Sequence, residues 1–398
     1  MSYSFELSDE QKMIKNTVRD MMKKLEPRRE ELHRMVMVEK KFPQEVWDMF
    51  SEAGFLGSLI PEEYGGTNMG LMAMVLALEE MGTHGHGNAF FILTTMDAMC
   101  ILRNGSEAMK KDLLPKIAEG KMKMAFALTE PDAGSNTFRI STLAKRDGNV
   151  YKITGQKTFI TGVDVADAML LVARTTSLDD AVKQGMPKAY GLSLFITPTK
   201  AKGLELQPIP MRGIEGTTQF TLFMENMEVP VENLVGQENL GSMALFNSLN
   251  PERILAAANT VGISEYLIKR ACDYARERKV FGGIPIGAHQ AIQHPLAELK
   301  IEQEAVRLLT YKAAWAFDKG EHPGIVGTYA NMAKFKAAEL GIAAVDQAIE
   351  TLGGYGFSEE YGIIYYHDVV RLLKTAPISR EMILNFIGEH VLNLPRSY

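Results

Sequence analysis

A carboxylate followed directly by an arginine, Glu252-Arg253, opens the run NPERILAAA at Asn250–Ala258. Asn250 can cap a helix there, with Pro251 at its first position, and an acidic side chain in that first turn is favourable without any further role. Asp97 interrupts an otherwise apolar segment, FFILTTMDAMCIL. At a surface such a residue is solvated or bonded locally; once buried, its pKa rises. Hydroxyls and turn residues gather in AFALTEPDAGSN (Ala125–Asn136) and GQKTFITG (Gly155–Gly162). Basic residues and glycines alternate in RERKVFGGIPIGAHQAIQ (Arg276–Gln293), and glycines again in TLGGYGFSEEYG (Thr351–Gly362). Taken singly, each is an ordinary turn or a solvated face. GGYGF is not a GxGxxG fingerprint and follows no strand, so a nicotinamide site is not expected. His84 and His86 have a metal-like spacing, but nothing completes a ligand set, and a turn exposing two imidazoles is expected.

The elements that must position these residues change character twice along the 398-residue chain. Residues 1–123 read as a helical domain. Ser8 and Gln11 give a capping-box signal, Pro43 opens an amphipathic stretch, Ile60–Gly66 is a loop, and helical spacing returns over Leu71–Met81 and Ser106–Ile117. Residues 124–236 are rich in Thr, Val, Ile and Phe with turn punctuation. Strands paired about Asp147-Gly148 mark a compact β domain. Residues 237–398 return to helical period over Ile254–Phe281, Gln290–Phe317, Tyr329–Leu352 and Ser379–Leu392, which suggests a four-helix bundle. An α–β–α order of this kind is not the alternation of a Rossmann sheet.

Composition sets outer limits. Hydrophobic residues make up 46% and charged residues 23%, a globular balance, and the net charge of −6 argues against a nucleic-acid binder. Two cysteines, Cys100 and Cys272, form no CxxC motif, and a reducing compartment is expected. The N-terminal stretch lacks a signal-peptide core and is too acidic for a transit peptide. No membrane span is expected, and the localisation read from these features is cytoplasmic.

Together, and in this order, the four motifs resemble the acyl-CoA dehydrogenase family over nearly the whole chain. The resemblance implies an α+β multidomain fold: an N-terminal helical domain, a β-barrel-like middle domain and a C-terminal four-helix bundle. It implies FAD as cofactor, an acyl-CoA substrate, an electron-transferring flavoprotein as acceptor and a homotetramer. Phe126, Leu128, Thr129, Phe159 and Thr161 would line the flavin, and Ser135 would reach a phosphate or a ligand carbonyl. Arg278, Phe281 and Gln290 would surround the diphosphate and adenine end across a subunit contact. Gly353 and Gly354 would permit close backbone approach there. Thr95, Met96 and Met99 would line the acyl pocket, and Arg253 would stand beside the substrate.

The reaction implied is dehydrogenation next to a thioester carbonyl, which needs a close, oriented, partly desolvated base. Where many members carry a C-terminal glutamate, this chain has Ala376 and Pro377. The resemblance to isovaleryl- and long-chain-type members instead places the base at Glu252. Asp97 is a second candidate acid or base, toward a polar or cyclic acyl group. Ile378 and Arg380 stand where Thr and Gln are common; Arg380 would pair with a phosphate. Glu350 replaces a frequent Gln and is expected to point away from the diphosphate. An enoyl-CoA reductase and a non-catalytic FAD-binding protein are the alternatives.

Overall fold

The structure, a computed structural model, describes residues 6–246 and 248–396. Gln11 donates its backbone N–H to the Ser8 hydroxyl, and the Gln11 side chain accepts from Ser8 N, closing the expected capping box at the start of α1 (Asp9–Leu25). Helices α2 (Arg29–His33), α3 (Gln44–Glu52), α4 (Leu71–Thr83), α5 (Ala89–Asn104) and α6 (Glu107–Ala118) complete the first helical layer. Three aromatics knit it together: Phe91 of α5 stacks on Trp47 at 5.2 Å and on Phe50 at 4.5 Å, all fully buried.

From Met124 the backbone turns to strands. These are β1 (Met124–Ala127), β2 (Leu143–Asp147), β3 (Val150–Thr161), β4 (Ala168–Arg174), β5 (Leu192–Pro198), β6 (Leu204–Ile209), β7 (Gln219–Pro230) and β8 (Leu234–Val235). They form one sheet in the order β6-β7-β3-β2-β4-β5-β8, with β1 parallel to β4. The expected hairpin is present: Asp147 faces Val150, and Gly148 takes the positive φ of 60° that the two-residue turn demands. A short helix, α7 (Leu178–Lys183), lies between β4 and β5.

The third region holds α8 (Gly241–Phe246), α9 (Leu249–Glu277), α10 (Gln290–Asp318), α11 (Pro323–Leu352), α12 (Tyr365–Leu372) and α13 (Arg380–His390). Three expectations are corrected here. The first bundle helix stops at Glu277 rather than Phe281. Gly282 and Gly283, at φ 93° and 87°, turn the chain into a small hairpin, β9 (Lys279–Val280) with β10 (Ile284–Pro285). Asn250 is not a cap, since α9 already starts at Leu249; its side chain instead accepts from Arg253 and donates to the Pro323 carbonyl. The amphipathic α12 was not expected at all.

The first and third regions meet backbone to backbone. A Cβ on Gly262 of α9 would lie 2.0 Å from the Glu79 carbonyl oxygen, and one on Gly82 of α4 would lie 2.6 Å from that of Asn259. Beside this crossing, buried Glu79 pairs with Lys15 at 2.9 Å and Arg307 at 3.1 Å, and buried Glu80 pairs with Arg19 at 2.8 Å. Helices α1, α4 and α10 are thereby tied together, and α5 and the start of α9 are fixed relative to each other. Gly262→Ala is expected to destabilise by about 2 kcal/mol or more through overpacking. Gly388→Ala in α13, where a Cβ meets nothing within 4 Å, should stabilise by about 0.5–1 kcal/mol. Urea unfolding midpoints of the two variants check both signs.

Candidate active site

The AFALTEPDAGSN and GQKTFITG segments are joined by one buried ion pair. Lys157, fully buried on β3, donates to Glu130 Oε1 at 2.8 Å and to the Leu128 carbonyl at 2.9 Å. Glu130, 4% exposed, also accepts from Ser141 N, Ser141 Oγ and Thr142 N at 2.7–3.0 Å. Burial alone would raise the Glu130 pKa, but the Lys157 charge and these donors outweigh it and hold the carboxyl below its usual value. Thr158 N donates to the Thr129 carbonyl at 2.9 Å, completing the clamp. Phe126, Leu128 and Thr129 are thus set beside Phe159 and Thr161. Phe159 sits at φ 58° where the β3–β7 register shifts, a bulge that re-aims its side chain outward, and it is 54% exposed. Thr161 accepts from Gln219 Nε2 at 2.6 Å and keeps its own O–H to donate. Ser135 is exposed on the connecting turn.

The second group lies where α5, α9 and α11 converge. Glu252 and Arg253 are in the first turn of α9, and Glu252 is 9% exposed. Its pKa is pushed up to about 7 by burial, with the positive charges of Arg253 and Lys334 pulling the other way. Asp97 on α5 is fully buried, and neither carboxylate oxygen has a hydrogen-bond partner among the described residues. Burial, and then the Glu252 charge, push its pKa well above the usual value. The solvated or locally bonded states available to Asp97 and Glu252 are therefore not the ones they adopt. Lys334 on α11, 2% exposed, donates its Nζ to the Ile378 carbonyl in the segment that carries Ala376.

The residues expected to line the acyl pocket all lie on α5. Thr95 is buried and donates to the Phe91 carbonyl at 2.6 Å, and Met99 is buried one turn further on. Met96 is fully buried. Helical spacing puts Leu93, which is only partly buried, one turn ahead of Asp97 on the same face.

A groove of about 610 Å³ is lined by Tyr274, Arg278, Val280, Gly353, Gly354 and Tyr355. A Cβ on Gly353 or Gly354 would meet nothing within the chain, so no intrachain packing requires glycine there; Gly353 has φ 59° and ψ −132°, a conformation suited to glycine. Phe281, at φ 41° and 91% exposed, projects from the β9–β10 hairpin, and exposed Gln290 opens α10. Glu350, expected to point away from the diphosphate, lines this groove one helical turn before Gly353. Arg380 already has a carboxylate partner, Glu339 at 3.2 Å, and its guanidinium lies over the Phe335 ring. His84 and His86 are not exposed either. Both face a cavity walled by α2 and by Tyr266, Tyr365 and Tyr366, and burial lowers both imidazoles, His86 to about 4. Among the described residues no cluster of three or more His, Cys, Asp or Glu could hold a metal ion, and no helix is long and apolar enough to cross a membrane.

Family models match the chain in three consecutive blocks: acyl-CoA dehydrogenase N-terminal domain at residues 8–121, middle domain at 125–227 and C-terminal domain at 239–392. The chain belongs to the acyl-CoA dehydrogenase family. This acyl-CoA dehydrogenase is 43% identical to acyl-CoA dehydrogenase FadE12 of Mycobacterium tuberculosis, over 89% of each chain. It is 35% identical to cyclohex-1-ene-1-carbonyl-CoA dehydrogenase of Geobacter metallireducens, over 90% of this chain and 91% of that one. Butyryl-CoA dehydrogenase of Megasphaera elsdenii superimposes with a TM-score of 0.88 at 27% identity, covering 98% and 100% of the two chains. The enzyme is accordingly a flavoprotein oxidoreductase, with FAD as its cofactor.

Three charged residues of this arrangement were missed in the sequence. Glu130 and Lys157 stand inside the quoted motifs, and their pairing is a tertiary fact that spacing does not reveal. Lys334 did carry a signal: it shares a helix face with Ala330, Ala333 and Ala337, all buried, where a lysine is out of place.

Glu252 has a folded pKa of about 7 against an ordinary 4.5. Its contribution to stability is complete below about pH 4.5 and is lost as pH rises through about 7. Glu252→Gln should therefore unfold at a higher midpoint than wild type at pH 8, by up to ~3 kcal/mol, and show no gain near pH 4.5. Thermal unfolding at the two pH values is the check.

Proposed function

We propose that this enzyme removes the α-proton and β-hydride of an acyl-CoA thioester, with Glu252 as the base. The observation that carries the reading is a carboxylate 9% exposed whose burial brings it to about pH 7. A base poised near the working pH combines a populated carboxylate with useful proton affinity. Arg253 is held by Asn250 at 3.3 Å, which supports a fixed cation beside that carboxylate. Ala376, in the segment opposite, has no acid–base chemistry.

The residues present fit a flavin. Phe126, Leu128 and Phe159 offer apolar walls next to the Thr129 and Thr161 hydroxyls, and Ser135 stands at the rim. Arg278, Gln290 and the Gly353-Gly354 turn would hold the diphosphate and adenine end. When bound there, FAD supplies the hydride acceptor. The chain itself holds the α-proton at a Glu252 carboxylate oxygen and excludes water from it. An electron-transferring flavoprotein is the acceptor we propose. The projecting aromatic ring of Phe281 supports a homotetramer in which a neighbouring chain covers it. Cys100 and Cys272 are free thiols, in keeping with a cytoplasmic setting.

A second reading is favoured by Asp97. A buried carboxyl with two unpartnered oxygens and a raised pKa is suited to a polar or cyclic acyl group, as a donor when protonated or, when ionised, as a base further along the acyl moiety. Loss of charge at Asp97 goes with charge at Glu252, so the two titrate as a pair.

Anaerobic bleaching of the flavin by straight, branched and cyclic acyl-CoAs tests both readings. Glu252→Gln should slow bleaching by about 10²–10⁴-fold, and an unchanged rate would sink the base assignment. Asp97→Asn should leave straight-chain bleaching within about threefold while abolishing that by cyclic thioesters, if they are substrates. Equal activity of Asp97→Asn and wild type on every class would remove Asp97 from the chemistry.

A further inference from the structure

Lys334 belongs to no motif, yet it is among the largest fully buried side chains of the molecule. A lysine at 2% exposure has to find a counter-charge and hydrogen-bond acceptors. One acceptor is the Ile378 carbonyl. The remaining surroundings follow from the face of α11 on which it sits. Gly327 on that face lies 3.5 Å, measured from an ideal Cβ, from Asn250 Oδ1 at the start of α9, and it also borders Phe386 of α13. Asn331 follows by one turn, 2% exposed, with its Oδ1 unpartnered, and Lys334 follows by two turns. The same face that touches Asn250 therefore presents Lys334 toward Glu252 and Arg253.

The charges facing this point come from four helices. They are Asp97 from α5, Glu252 and Arg253 from α9, Lys334 itself from α11 and Glu381 from α13. Glu381 is 72% exposed and lies 3.7 Å from Arg380, so it is screened by water and already shared. Asp97 is driven toward its neutral form. Among the described residues at this point, Glu252 is the buried anion left to balance half-buried Arg253 and buried Lys334.

Resting on the assignment of Glu252 as base, we propose that Lys334 is its positioning residue: the ammonium supplies the counter-charge for the Glu252 carboxylate while its hydrogen bond to Ile378 ties down the segment carrying Ala376. One side chain thus links the base on α9 to the segment that closes the site. Its distance from Glu252 exceeds that of an ion pair, which keeps the carboxylate free to accept a proton rather than locked in a salt bridge. Burial lowers the Lys334 amine to about 8, with the Glu252 charge acting to raise it; charged or neutral, the amine can donate to the Ile378 carbonyl, so the tether survives proton transfer to Glu252.

The test separates charge from tether. Lys334→Gln keeps a donor for the Ile378 carbonyl and removes the charge; Lys334→Arg keeps the charge. In holoenzyme, the acid limb of single-turnover flavin reduction should move up by about one pH unit in Lys334→Gln, with FAD content unchanged. In Lys334→Arg it should stay within a few tenths of a unit of wild type. The proposal is overturned if the Gln variant keeps the wild-type limb, or if the Arg variant shifts as far as Gln does; either variant decides it should the other fail to fold. Failure of the base assignment itself has a different signature: wild type and Glu252→Gln then share the same rate and limb, whatever Lys334 does.

Discussion

A charge placed out of water has to be answered by another, and the β domain is arranged around one such pair. Glu130 and Lys157 stand 27 residues apart and both are buried; Lys157 also binds the Leu128 carbonyl beside Glu130, and Glu130 also binds the Ser141 and Thr142 amides. Removing one partner would leave the other as an isolated buried ion, at a cost of roughly 3–5 kcal/mol. The β1 end, the TEPDAGSN turn and the β3 bulge therefore hold a single relative position. The strained φ of Phe159 persists because the strands on either side are fixed. A wall of apolar side chains and hydroxyls results, placed by a pair of charges that are themselves buried.

The helical cleft uses the same physics with the opposite outcome. There the charges are only partly answered. Asp97 has no hydrogen-bond partner among the described residues, and Glu252 has positive neighbours without an ion pair. Such incompleteness costs stability, and it is what keeps a carboxylate able to exchange a proton near neutral pH. The clamp is fully paired, and the carboxylates where α5, α9 and α11 converge are not. The aromatic stack of Trp47, Phe50 and Phe91 and the glycine crossing of α4 with α9 supply the stability that the cleft gives up.

The sequence carried the architecture because the signals for it are local. The Ser8 box, the Asp147-Gly148 turn and the switch of period near Met124 each reside within a few residues. Glu252 was singled out through the resemblance rather than through spacing, and Asp97 as an oddity on an apolar helix. The losses have physical causes. Asn250 was taken as a helix cap because it stands just before Pro251, although α9 already starts at Leu249. The reach of the first bundle helix was overstated because Val280 and Phe281 keep its apolar rhythm past the point where two glycines turn the chain. Lys334 was passed over because a lysine in a helix is ordinarily solvated, and only packing shows that this one is not.

The contact between Gly82 and Gly262 has a mechanical meaning as well as an energetic one. Helices whose backbones touch cannot slide or hinge against each other without first separating, and here the touching helices belong to different domains. Sliding the N-terminal domain over the bundle would therefore cost the packing at this crossing. Exchanging one of these domains for that of a relative would keep the crossing only where the incoming helix brings an equally small residue to it.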